Sequence, residues 1–402
     1  MNERKVGTTV RGIRCPIIRE NDDLQKIVVE SVLEAAQAEQ FTFAERDVIA
    51  ITESVVARAQ GNYASLDDIA QDIIEKFGAN QTIGVVFPIL SRNRFAMCLK
   101  GIARAAKKVV ILLSYPSDEV GNELFSEEKL FEKDINPYTE VYKSEKEYRD
   151  TFGINLHPFT GIDYVEYYGD LVRSEGKEVD FTFSNHPEDI LEKTENVLLC
   201  DIHTLKRTRR AVERKTTAQT RIFTLCDILT KSRNGSGYNE RYGLLGSNKA
   251  DEQRVKLFPH SAQDLVEGIQ QEMLQRTGHK LEVMIYGDGA FKDPVGNIWE
   301  FADPVVSPNY TSGLAGTPNE LKLKYLADNE YKDLNGKDLE EAIREKIENK
   351  NKNLKGTMAT EGTTPRQITD LLGSLCDLTS GSGDKGTPIV LIQGYFDNFA
   401  NK

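Results

Sequence analysis

The sequence is poor in the residue patterns that mark disulfide-bonded, zinc-binding or hydrolytic proteins. Its 402 residues include five cysteines, five histidines and one tryptophan. No two cysteines stand in a CxxC spacing, and neither an HExxH nor a GxSxG motif occurs. These absences argue against a zinc site, a disulfide framework and the common hydrolase classes. We therefore expect the cysteines to be reduced core residues of a cytosolic protein.

Positive charge and long apolar runs are also scarce. The chain has 51 Lys and Arg against 63 Asp and Glu, a formal net charge of −12. Nucleic-acid binding needs a local excess of basic residues, so we expect no nucleic-acid partner. No apolar run approaches the roughly 20 residues that span a bilayer, and the first residues, MNERKVGTTVRG, lack the apolar stretch of a signal peptide. We expect no membrane segment and a cytoplasmic location.

What remains is the composition of a globular protein, with 39% hydrophobic and 28% charged residues. Helical and strand patterns alternate, which predicts an α+β fold of mixed sheets and packed helices. Helical spacing occurs at 22–39, 66–78, 95–106, 205–216, 261–276 and 364–381. Strand patterns occur at 82–90, 108–116, 196–204, 220–229, 281–286 and 387–395, while 47–56 begins as a strand and passes into a polar turn. Residues 117–180 show weak periodicity, 232–249 are predicted as a long loop, and 320–355 as a charged helical arm.

One carboxylate, Asp288, stands between Gly287 and Gly289, directly after the apolar strand at 281–286. The flanking glycines leave it sterically open. Such a carboxylate suits Mg²⁺ or Mn²⁺, which take oxygen ligands and bridge to substrate phosphates. An ordinary Asx-type turn explains the triplet equally simply and is the more common structure. Further acidic residues follow at Asp293, Glu300 and Asp303.

A second glycine-rich segment, YGLLGSNK (242–249), offers backbone N–H groups and three polar side chains. Such a segment can hold phosphates or a carboxylate, or it can be an exposed connector. The candidate ligand-binding residues here are Gly246, Ser247, Asn248 and Lys249. A third glycine-rich segment, 379–388, joins a helix to a strand and lacks the GK[ST] ending of a phosphate loop, so we interpret it as a turn.

Two further pairs of polar residues follow predicted strands. Arg92 and Arg94 precede the helix at 95–106, and arginine forks suit carboxylates and phosphates. Asp201 and His203 end the strand at 196–204, where α/β proteins often bind ligands. The alternatives are solvated charge at a helix start for the arginines, and a hydrogen-bonded helix cap for Asp201 and His203.

Taken in order along the chain, four blocks resemble the gamma-glutamyl ligase family of coenzyme F-420 biosynthesis. The blocks are RDVIAITESVVARAQGN (46–62), YGLLGSNK (242–249), VMIYGDGAF (283–291) and TTPRQITDLLGSLCDLTSGSGDKGTPIVLIQG (363–394). The family patterns that they resemble are a strand followed by T-S-K-x-V-S-K-x-E-G-R, then N-A-G-x-D-x-S-N, then V-I-I-T-D-T-F, and a closing helix followed by G-x-P-V-V-L-I-R-G. The likeness covers 1–113, 235–318 and 356–396, which predicts a ligase-like core in two parts, 1–113 and 235–402, around an inserted α/β region at 114–234.

The chain departs from the family pattern at several positions. Glu53 and Ser54 stand where the family has serine and lysine, and Arg58 replaces a second lysine. The family's metal-binding aspartate of the second block falls on Leu245, whereas Asp288 matches the aspartate of the third block.

The resemblance implies a ligase that uses GTP or ATP with Mg²⁺ or Mn²⁺ to join an amino acid, with glutamate expected, to a small carboxylate acceptor through an acyl phosphate. It also implies a homodimer. The residues assigned on this basis are Asp288 and Arg58 in catalysis; Asp288, Asp293 and Asp303 at the metal; Glu53, Ser54, Gly246, Ser247, Asn248, Lys249, Gly287 and Gly289 at the nucleotide; and Arg92, Arg94, Asp201 and His203 at the substrate. A metal-dependent phosphotransferase and a non-catalytic nucleotide-binding protein with the same fold are the alternatives.

Overall fold

The computed structural model describes residues 5–158, 160–287, 307–361, 367–379 and 384–400, together with the backbone of 290–292 and 299–301. The strands are β1 (Thr9–Ile13), β2 (Val48–Thr52), β3 (Tyr63–Ser65), β4 (Thr82–Val86), β5 (Lys108–Leu113), β6 (Glu178–Phe183), β7 (Asn196–Leu199), β8 (Arg221–Thr224), β9 (Ser247–Lys249), β10 (Arg254–Leu257), β11 (Glu282–Tyr286), β12 (Ala290–Lys292), β13 (Trp299–Phe301) and β14 (Ile389–Gln393).

The α-helices are α1 (Leu24–Glu39), α2 (Glu53–Ala59), α3 (Leu66–Phe77), α4 (Phe95–Ala105), α5 (Glu128–Glu132), α6 (Glu145–Phe152), α7 (Tyr164–Ser174), α8 (Leu205–Glu213), α9 (Gln263–Thr277), α10 (Leu323–Tyr325), α11 (Gly336–Glu348) and α12 (Ile368–Thr379). Short 3₁₀ turns lie at Pro187–Glu192, Leu225–Asp227, Gly243–Gly246 and Ser312–Leu314, and a π-helical turn at Leu326–Glu330. Within the described residues, no helix is both long enough and apolar enough to cross a bilayer.

A four-stranded sheet with the order β1-β14-β2-β11 forms one centre of the molecule. Strand β2 is parallel to β11 and antiparallel to β14. Both faces of β2 are covered, because Ile49 and Ile51 pack in the cluster that contains residues of α1 and α9, while Val48 and Ala50 pack with residues of α12. Burial on both faces explains why the strand reads as a continuous apolar run.

The second centre is a five-stranded sheet with the order β6-β5-β4-β7-β8, and every described pair in it is parallel. The chain starts at the middle strand β4, moves outwards through β5 and β6, and then returns to the other side of β4 through β7 and β8. Such a sheet is doubly wound, and its strand order reverses between β4 and β7. Strands from both sides of residue 113 build it, and the division of the chain at that residue stays a prediction.

A three-stranded sheet with the order β3-β10-β9 lies beside the second centre. Here the prediction of a loop over 232–249 is wrong in its last part, because Gly243–Gly246 is a 3₁₀ turn and Ser247–Lys249 is strand β9. The strand forms by pairing with β10. Three residues are too few to show a period of two, so only the tertiary partner reveals them.

The other element predictions agree with the structure in type, with limits that differ by a few residues. The polar turn predicted after the strand at 47–56 is instead helix α2. The segment at 117–180 holds three short helices and a strand that its charged sequence concealed. The charged region at 320–355 is helical in part, and its apolar residues form a small cluster of their own around Leu326 and Ile343.

Candidate functional site

Two parallel strands bring the first and third sequence blocks to one edge of the four-stranded sheet. Strand β2 pairs with β11 so that Thr52 stands opposite Tyr286. The next residues, Glu53 and Gly287, therefore leave the sheet side by side. Strand β14 begins at this edge, where the Thr52 backbone N–H donates to the Pro388 carbonyl at 3.0 Å. This edge is where three of the four resemblance blocks meet.

A lysine that the sequence analysis did not select occupies this edge. The Lys256 Nζ donates to the Ser54 Oγ at 2.6 Å and lies 3.4 Å from the Glu53 Oε1. The side chains of Lys256 and Glu53 are only 13% and 11% exposed. An ammonium group held in so little water exerts a stronger field than one on the surface. The Glu53 carboxylate offsets this charge, so the end of β2 presents one cationic and one anionic group.

The three-stranded sheet joins the second block to the same lysine. Lys256 stands opposite Tyr63 of β3 and opposite Asn248 of β9, in two antiparallel pairs. Directly opposed residues of antiparallel strands carry their side chains on the same face, with Cβ atoms about 5 Å apart. Asn248, Lys256 and Tyr63 therefore form one row with Lys256 in the middle, and the Lys256 side chain reaches Ser54.

The other predicted residues of the second block lie in different environments, away from Lys256. Ser247 is 3% exposed, and its hydroxyl lies 3.5 Å from the Cys98 sulfur. Lys249 forms a surface ion pair with Glu252. Because side chains alternate along a strand, Ser247 and Lys249 lie on the opposite face from Asn248. Gly246 packs so closely that an added Cβ would lie 2.4 Å from the Phe258 ring.

Leu245 occupies the position of the aspartate that the family resemblance predicts. Its side chain is 8% exposed and lines a small apolar cavity with Phe95, Cys98 and Leu244. A carboxylate here would lose its hydration in apolar surroundings, at a cost of several kcal/mol. The position is therefore part of the core in this chain.

The predicted arginines lie at two places. Arg58 is exposed on α2, and it shares a helix face with Ser54 because the two residues are four positions apart. Arg92 is exposed and Arg94 half-buried in the turn before α4. That turn is tied to β9 by the Lys249 backbone N–H, which donates to the Asn93 carbonyl at 2.8 Å.

Asp201 and His203 lie at the carboxyl end of β7, in the five-stranded sheet. Asp201 is 1% exposed, and its Oδ2 lies 2.7 Å from the Thr204 hydroxyl and 2.6 Å from the Thr208 hydroxyl. Burial raises the pKa of the Asp201 carboxyl group to about 6. The His203 backbone N–H donates to the Glu119 carboxylate, and burial lowers the pKa of the His203 ring.

The predicted metal ligands Asp288, Asp293 and Asp303, and the predicted nucleotide-binding residue Gly289, lie outside the described residues. Among the residues that are described, no three His, Cys, Asp or Glu side chains gather as a metal-binding set. The described part of the site therefore consists of Glu53, Ser54, Asn248, Lys256 and Gly287.

Lys256 was missed because it stands in none of the four blocks. The only local signal is the alternation in RVKLF (254–258), where two basic residues alternate with buried apolar ones. This pattern predicts a strand with one basic face. It does not show that the face meets the end of β2, about 200 residues away in the sequence.

Comparison with known proteins gives one clear relation. No curated protein matches the chain. The family model described as F420-0:Gamma-glutamyl ligase matches residues 12–394, a range that includes the predicted insertion. Since this match covers nearly the whole sequence, the chain belongs to the F420-0:gamma-glutamyl ligase family.

Proposed function

We propose that this protein is a nucleotide- and divalent-metal-dependent ligase that joins an amino acid to a small carboxylate acceptor through an amide bond. Its family is one of gamma-glutamyl ligases, which supports ligase activity. The observation that carries the proposal is the contact of the Lys256 ammonium with Ser54 and Glu53, beside Gly287. This arrangement places a largely buried ammonium group and a largely buried carboxylate at a strand edge that ends in a glycine. With a cation on the carboxylate, the ammonium group suits a phosphate group.

The chemistry proceeds in two steps. A carboxylate oxygen of the acceptor attacks the terminal phosphorus of the nucleoside triphosphate, and the nucleoside diphosphate leaves, so that an acyl phosphate forms. The amine of the amino acid then attacks the acyl carbon, and inorganic phosphate leaves as the amide bond forms and the amine loses a proton. Both steps depend on positioning and on neutralising phosphate charge more than on a protein nucleophile.

The side chains around β2 have distinct roles in this proposal. Lys256 neutralises charge on the transferred phosphoryl group, and Arg58, on the same helix face as Ser54, supplies a second positive group nearer the solvent. The Ser54 hydroxyl oxygen accepts a hydrogen bond from the Lys256 ammonium, and the hydroxyl can still donate its own proton in a hydrogen bond to a phosphate oxygen. Asn248, in the same row as Lys256, offers amide donors.

The lysine contact also bears on the departure from the family pattern. Ser54 stands where the resemblance places a lysine, and the Lys256 ammonium lies within a hydrogen bond of that residue. A positive charge is thus present at nearly the same place, although it comes from β10. This substitution in space favours a working site over one that has lost its function.

A divalent cation fits the donor chemistry of this edge. The Glu53 carboxylate provides hard oxygen ligands, and Asp288 follows Gly287 directly in the sequence. These two residues would hold the cation, with Asp293 and Asp303 as further candidates. When bound, the cation would screen the negative charge of the phosphates.

The test is phosphate release from GTP or ATP with Mg²⁺ or Mn²⁺, with and without glutamate and candidate carboxylate acceptors. The wild-type chain is expected to release phosphate only when both substrates are present. Release without an amino acid would indicate a phosphotransferase. Absence of any nucleotide binding would refute the ligase and indicate a protein that kept only the fold.

Two substitutions connect that activity to the site. Lys256→Met removes the ammonium and keeps the apolar stem, and we expect kcat/KM to fall by a factor of about 10² or more, as for loss of a charged group that contacts a transferred phosphoryl group. Lys249→Met is the matched control, since Lys249 pairs with Glu252 on the opposite face. Equal losses in the two variants would contradict the assignment of Lys256.

Asp288→Ala tests the metal. We expect it to abolish metal-supported nucleotide binding, measured by calorimetry with and without Mg²⁺, because the variant lacks a carboxylate ligand of the cation. An unchanged affinity would count against a metal site at this residue.

A further inference from the structure

The carboxyl ends of the parallel strands open into a cleft that the ligase proposal does not use. Its volume is about 660 Å³. It is lined by residues that follow four strands in turn: Phe87 after β4, 114–117 after β5, 185–188 after β6, and Thr204 and Thr208 after β7. The cleft therefore lies beside the point where the strand order reverses. Open parallel sheets bind their ligands at that point.

One wall of the cleft is a loop that Asp118 holds in place. The Asp118 carboxylate is buried, and it accepts hydrogen bonds from the backbone N–H groups of Leu90, Val120 and Asn122 and from the Asn122 side chain, at 2.8–3.0 Å. Leu90 belongs to the connection after β4. The loop is thus fixed to the neighbouring strand end, and the cleft exists before any ligand arrives.

A second acidic residue of the same loop, Glu119, caps the N-terminus of α8. The Glu119 carboxylate accepts hydrogen bonds from the backbone N–H groups of Ile202, His203 and Thr204 and from the Thr204 hydroxyl. A helix N-terminus is where many α/β proteins bind the phosphate of a ligand. In this protein the Glu119 side chain fills that position, so the cleft offers no such place to an anion.

Two other carboxylates in the cleft remain available. Glu123 and Glu127 line it, and within the described residues neither side chain forms a hydrogen bond or an ion pair. Burial and the nearby charges of Glu127 and Glu128 raise the pKa of Glu123. Carboxylates gathered in this way repel one another, and a bound cation relieves the repulsion.

A buried carboxyl group lies behind Thr204 and Thr208 of the cleft lining. Asp201 is 1% exposed, and Thr204 and Thr208, which hold its Oδ2, both line the cleft. Its other oxygen, Oδ1, accepts no hydrogen bond from the described residues. Asp201 is not itself a lining residue, so its carboxyl group adds to the acidic surroundings of the cleft from beneath the wall.

The balance of acidic and basic side chains in the cleft lining indicates the kind of ligand that the cleft would bind. The lining includes five carboxylates, those of Asp118, Glu119, Glu123, Glu127 and Glu188, against one guanidinium, Arg207, and one imidazole, His186. Glu188 pairs with Lys215 at 3.4 Å, and Asp118 and Glu119 hold the loop. The two free carboxylates outnumber the one exposed guanidinium.

We propose that this cleft is a second binding site, which takes a small molecule with more ammonium than carboxylate groups, such as a diamine or a basic amino acid. Glu123 and Glu127 receive the ammonium group. The proposal is independent of the ligase reaction, since it concerns binding in the five-stranded sheet and needs neither nucleotide nor metal.

The test is calorimetric titration of the full-length protein with three probes of similar length: putrescine, L-lysine and glutarate, all without nucleotide. Putrescine and L-lysine are expected to bind, and glutarate to show no binding. The double variant Glu123→Gln/Glu127→Gln is expected to lose affinity for both amines by about tenfold or more, because it removes two charged partners.

Two further variants complete the design. Glu132→Gln changes an exposed acid of α5 outside the cleft lining, and it should bind like the wild type. Ala211→Phe adds volume at the cleft wall without changing charge, and it should weaken amine binding. Failure of both amines to bind, equal binding of glutarate, or an equal loss in Glu132→Gln would each overturn the proposal. Circular dichroism spectra that match the wild type show that each variant is folded.

Discussion

The free energy of unfolding of the variant Asp201→Asn, compared with that of the wild type, should be higher at neutral pH than at acid pH. The reason lies in the hydroxyl group of Thr204. It lies 2.9 Å from the Glu119 Oε2 and 2.7 Å from the Asp201 Oδ2, and it has a single proton to donate. One of the two contacts therefore needs a proton from a carboxyl group. Below about pH 6 a protonated Asp201 supplies that proton, because burial raises its pKa to about 6.

The size of the effect follows from linkage between proton binding and folding. An aspartate has a pKa of about 3.9 in an unfolded chain, and a change of one pKa unit corresponds to about 1.4 kcal/mol. With a folded pKa of about 6, the difference of about two units amounts to roughly 3 kcal/mol. Between pH 4 and pH 6 the folded state holds more protons than the unfolded state, so the free energy of unfolding falls as pH rises.

Asparagine does not titrate and escapes this loss. The free energy of unfolding of Asp201→Asn, minus that of the wild type, should therefore rise by about 2–3 kcal/mol between pH 4 and pH 7. Urea-induced unfolding of both proteins at pH 4, 5, 6 and 7, followed by circular dichroism, measures this difference. Asp170→Asn, at an exposed ion pair, is the control and should show almost no pH dependence.

A difference that stays constant across the pH range would refute the protonated state of Asp201. A second comparison in a Glu119→Gln background separates the two causes. Burial is the larger cause of the raised pKa of Asp201, and the Glu119 charge adds to it. The rise should therefore persist in that background but be smaller.

Three further predictions concern the glycine-rich block and the lysine site. Leu245→Asp, which introduces the aspartate of the family pattern, should lower the free energy of unfolding by about 3 kcal/mol or more and fail to increase metal affinity, because the position is apolar and buried. Gly243→Ala should lower the free energy of unfolding by at least about 2 kcal/mol, since φ is +48° and the new Cβ would lie 2.3 Å from the Ile228 carbonyl oxygen. Gly235→Ala is the control, because Gly235 also has a positive φ but has open space around it, and it should cost only about 1 kcal/mol. Urea-induced unfolding measures both values. The exchange variant Ser54→Lys/Lys256→Ser should recover at least part of the phosphate release that is lost in Lys256→Ser alone. If the exchange restores neither phosphate release nor nucleotide affinity, a positive charge at that point does not have the proposed role.

The sequence predicted the helices and strands that have their own periodicity. The strand that begins at 48, the apolar strands at 82 and 108, and helices α1 and α9 are all evident from residue spacing. The family resemblance could also be recognised from the sequence, because its blocks are short segments in a fixed order along the chain. Features that depend on contact between distant segments were not predictable in this way.

Lys256 and Leu245 illustrate that limit from opposite sides. A basic residue in a short amphipathic strand is common, and only the pairing of β10 with β3 and β9 brings Lys256 to Ser54. Leu245 lies in a block selected for its glycines and polar residues, yet its side chain belongs to the core. Neither the partner of the lysine nor the burial of the leucine can be deduced from neighbours in the sequence.

The way in which the five-stranded sheet is threaded has a practical consequence for engineering. Removing 114–234 to obtain a minimal enzyme would delete β6, β7 and β8 and leave β4 and β5 as an isolated pair. Both edges of that pair would then expose unsatisfied backbone groups along two strongly apolar strands, a template for aggregation. Truncated versions of this chain should therefore precipitate unless β4 and β5 are removed as well.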